Sequence, residues 1–256
     1  MTPRTPVPRT VLVLGGTSDI AHAICCRFTA AGTHTIILAG RDQTALAARA
    51  HHLRSVGTPA TDIALFDALD TDGHQAFIDG VFTRHPTIDL TLLAFGALGE
   101  PHCRDSCPQQ ALHLIRTNYL GAVSLLTLLT RRLQAQGRGD IVVLSSVAAL
   151  LPRPSNHLYA SSKAGLDVYC QGLRERLAGS GVHLLIVRPG FVRTHMTAHL
   201  PTSPPLATTP DAVAAVTLNA LTKGKTTAWA PPAIRWIILA LQHLPPSLRS
   251  HLPHMR

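Results

Sequence analysis

A doubly wound parallel α/β sheet of about seven strands, in three layers, is the fold this 256-residue sequence predicts. Three observations predict it. Short apolar, β-branched runs recur along the chain, and each is followed by a segment with helical spacing. The runs are apolar throughout rather than alternating, as in strands covered on both faces. No repeat or low-complexity linker divides the chain, so a single domain over residues 1–256 is expected.

The elements follow in order. "TVLVLG" precedes the helical "SDIAHAICCRFTAAG", and "TIILAG" precedes "DQTALAARAHHLRSVG". "TDIALFD" leads to "TDGHQAFIDGVFTRH", and "IDLTLLAFG" leads to the long region "QQALHLIRTNYLGAVSLLTLLTRRLQAQG". "DIVVLSS" precedes "HLYASSKAGLDVYCQGLRERLAGSG", "VHLLIVRPG" follows, and "TTAWA" offers a last strand. Right-handed crossovers would wind these units into one sheet. Residues 1–9, proline-rich, read as a flexible lead-in, and residues 231–256 as a lipid- or interface-facing segment.

Composition narrows the function classes. Apolar residues make up 46% and charged ones 14%, which excludes a disordered chain. A formal net charge of +9 favours anionic partners. Nucleic acid is not expected among them, because the basic residues are scattered and aromatics are only 4%. Five cysteines without regular spacing do not form a disulfide framework and fit a reducing compartment. "HCRDSC" (His102, Cys103, Cys107) lacks a second ligand pair, so no metal is expected; Cys25 and Cys26 read as core residues. Neither an apolar signal core nor about 18–20 continuous apolar residues occurs, so the expected location is cytoplasmic or peripheral at a membrane.

In doubly wound sheets, ligands bind beyond the carboxyl ends of the strands. After the first run, Gly15 and Gly16 form a turn opening a helix, where backbone N–H groups can meet a phosphate. Thr17 and Ser18 add hydroxyls, and Asp19 and Ile20 begin the helix. The full G-x-G-x-x-G pattern is absent. After the second run no acidic residue waits for a ribose hydroxyl. Arg41 can pair with a 2′-phosphate instead, while Asp42 can equally cap the next helix. Asp67 after the third run can accept from an adenine amino group or cap a turn. Ala94 and Gly96 after the fourth run allow a close approach to the backbone. After the sixth, Pro189 and Gly190 break the strand, followed by Val192 and by Thr194 with its hydroxyl and amide.

The fifth run ends at Ser145-Ser146, and "NHLYASSKAG" follows. Tyr159 and Lys163, four apart, share a helix face, so a phenol lies beside an ammonium.

With Gly15, Asp67, Asn118, Ser146, Tyr159, Lys163 and "PGFVRT" in order, the chain resembles the short-chain dehydrogenase/reductase family from about Val11 to Thr194. The resemblance implies a Rossmann-type fold, NAD(P)H as cofactor, with Arg41 leaning toward NADPH, and a catalytic tetrad of Asn118, Ser146, Tyr159 and Lys163. It implies that Tyr159 protonates a carbonyl oxygen as hydride arrives. Lys163 would lower the phenol's pKa and hold the nicotinamide ribose. Ser146 would bond the same oxygen, and Asn118 would kink its helix and hold a water that relays protons to Lys163. Asp19 and Ala21 stand where most of the family has its second and third glycines. Asp19 suits a helix N-terminus, worth about 0.3–1 kcal/mol, but as an anion it should disfavour a nearby pyrophosphate.

A narrower resemblance, through "LGGTSDIA", "AFGALG", "RPGFVRTHMTAHL" and the tail, is to the reductases of decaprenylphosphoryl-ribose 2′-epimerisation. It implies reduction of a polyprenyl-phosphoryl 2-keto-ribofuranose to the arabinofuranose, a precursor of cell-wall arabinan, with a flavin-dependent oxidase as partner. The tail agrees with a greasy substrate. No acidic residue occurs from Ala212 to Arg256, where Lys223, Lys225, Arg235, Arg249 and Arg256 accompany Trp229, Trp236, Ile237, Ile238, Leu239 and Leu241. Such a segment can lie at a lipid surface, complete the core or seal a homo-oligomer, and a homo-oligomer is expected. Two other functions stay open: reduction of a smaller, soluble ketone or acyl ketone, and nucleotide sensing or scaffolding without turnover.

Overall fold

A computed structural model describes residues 7–99, 107–198 and 206–243, with His243 described by its backbone alone. The His102–Cys103 pair, Arg249 and Arg256 lie outside the described residues. Seven parallel strands form the sheet: β1 (Thr10–Leu14), β2 (Thr35–Gly40), β3 (Ala60–Leu65), β4 (Leu90–Leu93), β5 (Gly139–Leu144), β6 (Val182–Pro189) and β7 (Thr227–Ala230). Their order is β3-β2-β1-β4-β5-β6-β7, so the chain reverses its direction of travel between β1 and β4. A crevice opens at such a reversal, beyond the carboxyl ends of both strands.

Eight α-helices cover the sheet in the described residues: α1 (Asp19–Ala31), α2 (Gln43–Ser55), α3 (His74–Arg84), α4 (Pro108–Ile115), α5 (Ala122–Gln136), α6 (His157–Arg176), α7 (Pro210–Thr222) and α8 (Ile234–His243). Alternate strand residues feed opposite layers. Leu12, Leu14 and Ile37 pack against Ile78 of α3, Leu125 and Leu129 of α5 and Leu166 of α6. Val11, Val13 and Leu38 pack against Ile24 and Phe28 of α1, Leu46 of α2 and Val213 of α7. The continuous apolar strands of the sequence are therefore strands with two covered faces.

Helix starts are set by side chains. Ser18 Oγ accepts from Ala21 N at 3.3 Å, and Asp42 Oδ1 accepts from Ala45 N at 2.9 Å, which settles Asp42 as a cap. Pro8 and Arg9 do not belong to the flexible lead-in expected of residues 1–9. Pro8 O accepts from Thr33 Oγ1 at 2.8 Å, and Arg9 N donates to Asp89 Oδ2 at 3.0 Å, so both residues are fixed to the body. Cys25 is buried as expected, but Cys26 is half-exposed, on the outer side of α1.

From Pro108 to Gln136 the chain is continuously helical over 29 residues, long and apolar enough by length and composition to cross a membrane. Its apolar residues are spaced rather than contiguous, so no continuous apolar run marks it in the sequence. In the fold its Leu125, Leu126, Leu129 and Leu133 pack into the core against the sheet. Between α4 and α5 the helix widens into a π-helical turn, Arg116–Gly121. At Gly121 an added Cβ would lie 2.2 Å from the carbonyl oxygen of Ala68, so only glycine fits there.

Candidate active site

A cleft of about 920 Å³ opens at the carboxyl ends of the strands. It is lined by Gly15, Thr17, Ser18, Asp19, Ile20, Arg41, Asp67, Ala94, Gly96, Ser146, Tyr159, Lys163, Pro189, Gly190, Val192 and Thr194. Of the expected site residues only Asn118 stands behind the wall, 1% exposed.

The β1 turn is built from backbone. Gly15 has φ +95°, and its N–H and that of Gly16 both donate to Ala39 O at 2.9 Å. A Cβ on Gly15 would lie 2.5 Å from Phe95 N, so the close passage of the β4 loop requires glycine. Asp19 is not a free anion facing the cleft. Its Oδ1 accepts from Arg49 Nη2 at 2.5 Å and its Oδ2 from His195 N at 2.8 Å. Burial raises the carboxyl's pKa, but the His195 N–H and the Arg49 guanidinium outweigh it and hold the value below the ordinary range. Repulsion of a pyrophosphate, expected from the sequence, is thus offset by a paired cation. The same carboxylate ties the β1 turn to the loop after β6.

At the β2 and β3 ends, Arg41 Nη1 lies 3.9 Å from Asp67 Oδ2, and Asp67 Oδ1 accepts from Leu69 N at 3.0 Å. Asp67 therefore caps a turn with one oxygen and faces Arg41 with the other. Thr194 lines the cleft, but both its amide and its hydroxyl are engaged by Thr197: the amide donates to Thr197 Oγ1 at 3.0 Å, and the two hydroxyl oxygens lie 3.4 Å apart.

The chemistry-bearing side chains meet where β4, β5 and α6 converge. The Ser146 hydroxyl hydrogen-bonds the Tyr159 phenol, while Ser146 Oγ accepts from Ala148 N at 3.1 Å. Lys163, 5% exposed, donates from Nζ to Leu144 O at 3.0 Å. Asn118 sits in the π-helical turn, as a kinked helix requires. Its Nδ2 donates to Ala97 O at 2.8 Å and to Ser162 Oγ at 3.0 Å, and its Oδ1 accepts from Ala97 N at 2.7 Å. Both amide donors are engaged, so the side chain acts as a strut between the β4 loop and α6.

One expectation is corrected here. The Tyr159 phenol is raised rather than lowered: burial raises its pKa and the Ser146 bond only partly offsets it, while the Lys163 ammonium donates to Leu144 O. Burial in turn lowers Lys163 to about 8.

The sequence reading also missed a buried ion pair beneath the site. Asp167, 1% exposed, accepts from Arg188 Nη2 at 2.7 Å and Nε at 3.0 Å, from Ser145 Oγ at 2.6 Å and from Gln171 Nε2 at 2.7 Å. Burial pushes this carboxyl up, but Arg188 and Ser145 bring it below its ordinary value. The Arg188 guanidinium lies 5.1 Å from the centre of the Trp229 ring, so Trp229 belongs to this network and not to a tail surface. Two signals marked the pair. Asp167 falls one turn after Lys163 on an otherwise apolar helix face, and Arg188 interrupts an apolar strand.

Residues 9–204 match the family model described as short chain dehydrogenase. The chain belongs to the short-chain dehydrogenase/reductase family. It is thus an oxidoreductase, and a nicotinamide dinucleotide fits the cleft. An uncharacterized oxidoreductase of Mycobacterium tuberculosis is 40% identical over 243 residues, 95% of this chain and 96% of that protein. A ketoacyl reductase of Nostoc sp. is 30% identical over 223 residues, 86% of this chain and 77% of its own. A short-chain dehydrogenase of Burkholderia cenocepacia, solved in complex with NADP, superposes with a TM-score of 0.81 at 20% identity, covering 97% of this chain and 99% of that one. This chain carries Asp19 at the start of α1 and the Asp167–Arg188 pair between α6 and β6.

Proposed function

We propose that the protein reduces a ketone to a secondary alcohol with NADPH, using Tyr159 as the acid. The observation that carries this is the meeting of Ser146, Tyr159 and Lys163 on one cleft wall, with Asn118 bracing it from behind. The bound nicotinamide supplies the hydride. The residues that would hold the dinucleotide are the Gly15 turn with Thr17, Ser18 and Ile20 at the phosphates, Arg41 at a 2′-phosphate, Asp67 at the adenine, and Ala94, Gly96, Pro189, Gly190, Val192 and Thr194 around the nicotinamide ribose. Gly96 supports this, since a Cβ there would stand 3.1 Å from Asn118 Oδ1 and 3.4 Å from Lys163 Nζ and would fill the space beside them.

Each side chain then has a task. Ser146 donates toward the carbonyl oxygen and stabilises the charge that develops there. Tyr159 delivers its proton to the same oxygen; burial keeps the phenol protonated at neutral pH, which favours reduction. Lys163, near pH 8 in its titration, restores the Tyr159 proton and grips the ribose. A water held at Asn118 would carry protons onward. The ketoacyl reductase relative supports carbonyl reduction as the direction.

The substrate we infer is a polyprenyl-phosphoryl 2-keto-ribofuranose, reduced to the arabinofuranose as the second half of a 2′-epimerisation, with a flavin-dependent oxidase supplying the ketone. Helix α8 supports a lipid substrate. Ile238 faces inward and lines the cleft at 5% exposure, while Trp236 and Ile237 face outward at 68% and 42%. Arg235 stacks on Trp236 at 5.2 Å, which places a cation beside the exposed indole, as at an anionic lipid surface. The test is oxidation of NADPH and of NADH, in separate runs, with the keto sugar made in place by the oxidase, lipid-linked or delipidated. Turnover of the lipid-linked sugar alone is the expected result. Equal turnover of both would favour a soluble ketone, and cofactor binding without turnover of any ketone would leave a sensing or scaffold role.

A further inference from the structure

We propose that His22, Cys26 and His52 form a binding site for one zinc-class divalent cation, clipping α1 to α2 on the side away from the cleft chemistry. His22 and Cys26 are four residues apart on α1 and so share a face. His52 reaches them from α2. His22 Nε2 lies 3.0 Å from His52 Nδ1 and 3.7 Å from Cys26 Sγ, and the three ligand atoms all fall within 4.8 Å of one another. A tetrahedral zinc ion, with bonds of about 2.0–2.1 Å to nitrogen and 2.3 Å to sulfur, sets its ligand atoms roughly 3.3–3.7 Å apart. Small side-chain rotations suffice to convert one arrangement into the other.

The donor set selects the ion. Two imidazoles and a thiolate suit zinc or its neighbours and do not suit magnesium or calcium, which take oxygen ligands. Water completes the fourth position, and the exposed His52 gives the ion an entry path. His22 is already in its ligand form. Burial, followed by the charges of Arg49 and His52, lowers it to about 4, so it is neutral at pH 7. Burial keeps the Cys26 thiol protonated, so binding exchanges its S–H bond for an S–metal bond and releases one proton to solvent. The Arg49 guanidinium nearby opposes the ion, but it is turned to Asp19 at 2.5 Å.

The two helices joined by this trio begin at the β1 turn and just after Arg41, so an ion here cross-links the two elements that frame the dinucleotide end of the cleft. The test uses the untagged, full-length protein and Co²⁺ as probe. Expected are the intense visible bands of tetrahedral cobalt with a sulfur-to-metal charge-transfer band, at one ion per chain, displaced by Zn²⁺. Cys26→Ser should abolish the charge-transfer band, and His52→Ala should weaken binding by more than about tenfold; Cys107→Ser should change neither. Zn²⁺ should raise the Tm of the wild type and not that of His52→Ala, whose exposed position leaves folding intact. A weak octahedral spectrum, or a charge-transfer band that survives Cys26→Ser, would overturn the proposal and leave a hydrogen-bonded trio.

Discussion

The two ends of the cleft are held in different ways. At the dinucleotide end, support comes from backbone: the Gly15 turn hangs on Ala39 O, Ser18 and Asp42 cap helices, and the charged residues Asp19, Arg49, Arg41 and Asp67 keep partial contact with water. At the catalytic end, the groups are buried and charged. Lys163 and Asp167 are 5% and 1% exposed, and the Tyr159 phenol beside Lys163 on the cleft wall has a raised pKa. Water can compensate a lost partner at the first end but not at the second. Substitutions should therefore be graded in affinity at one end and severe in rate or stability at the other.

The largest effect tests the catalytic end directly. Tyr159→Phe should lower kcat by about 10²- to 10⁴-fold, the range for loss of a positioned proton donor. The KM for the nucleotide and the Tm should stay near wild type, as steady-state kinetics and a thermal melt would read. Because the raised phenol holds its proton at neutral pH, the wild-type rate of alcohol oxidation should climb with pH while ketone reduction stays flat near pH 7. A Tyr159→Phe variant that keeps its rate would erase the distinction between the two ends.

Next in size is the buried pair. Arg188→Met removes both guanidinium bonds to Asp167 and leaves an uncompensated carboxylate, which costs about 3–5 kcal/mol. The matching change at the other end is Arg49→Met, which strips Asp19 of a partner where that carboxylate is 23% exposed. That variant should lose less than about 1 kcal/mol. Urea unfolding of the two side by side measures the contrast, and equal losses would break it.

Lys163 shows the cost of the catalytic end in the opposite sign. Its folded pKa, about 8, lies below the ordinary 10.5, so the unfolded chain holds this proton more tightly. Stability from this group is then lowest below pH 8 and rises as pH climbs from about 8 to 10.5. Lys163→Met should abolish turnover yet raise the unfolding free energy at pH 7 by about 1–3 kcal/mol, at 1.36 kcal/mol per pK unit and allowing for the lost bond to Leu144 O. The gain should vanish by pH 10.5, as denaturant curves at both pH values would show. A variant less stable at pH 7 would mean that the ammonium is well paired in the folded state.

How much of this was legible follows the same division. The strands, their two covered faces and the convergence of strand ends could be read, because continuous apolar runs and Gly-rich turns are local features. The cleft residues from Gly15 to Thr194 followed, since their position after each run fixes where they point. Long-range pairings could not be read. Nothing local to Asp19 reveals that Arg49 and the His195 N–H neutralise it, or that Asp167 meets Arg188 across 21 residues. The direction of the Tyr159 shift was missed as well: helix spacing brings Lys163 to the right face, but burial by the surrounding fold, which no local pattern shows, decides the phenol's pKa.

The smallest effect sharpens the dinucleotide end. Arg41 is exposed, and its contact with Asp67 is 3.9 Å long, so the guanidinium is free to turn to a 2′-phosphate at little cost. Phosphate recognition by arginine is charge-assisted and bidentate, but at this exposed position it would be open to water and screened by salt. Arg41→Ala should therefore raise the KM for NADPH by about tenfold, or 1.4 kcal/mol, and leave the KM for NADH and both kcat values unchanged. The NADPH penalty should shrink as salt is added. If NADH and NADPH lose equally, Arg41 orders the turn through Asp67 rather than reading the phosphate, and Asp67→Asn should then reproduce the loss. If neither changes, the missing acidic residue at the end of β2 sets the cofactor preference by itself.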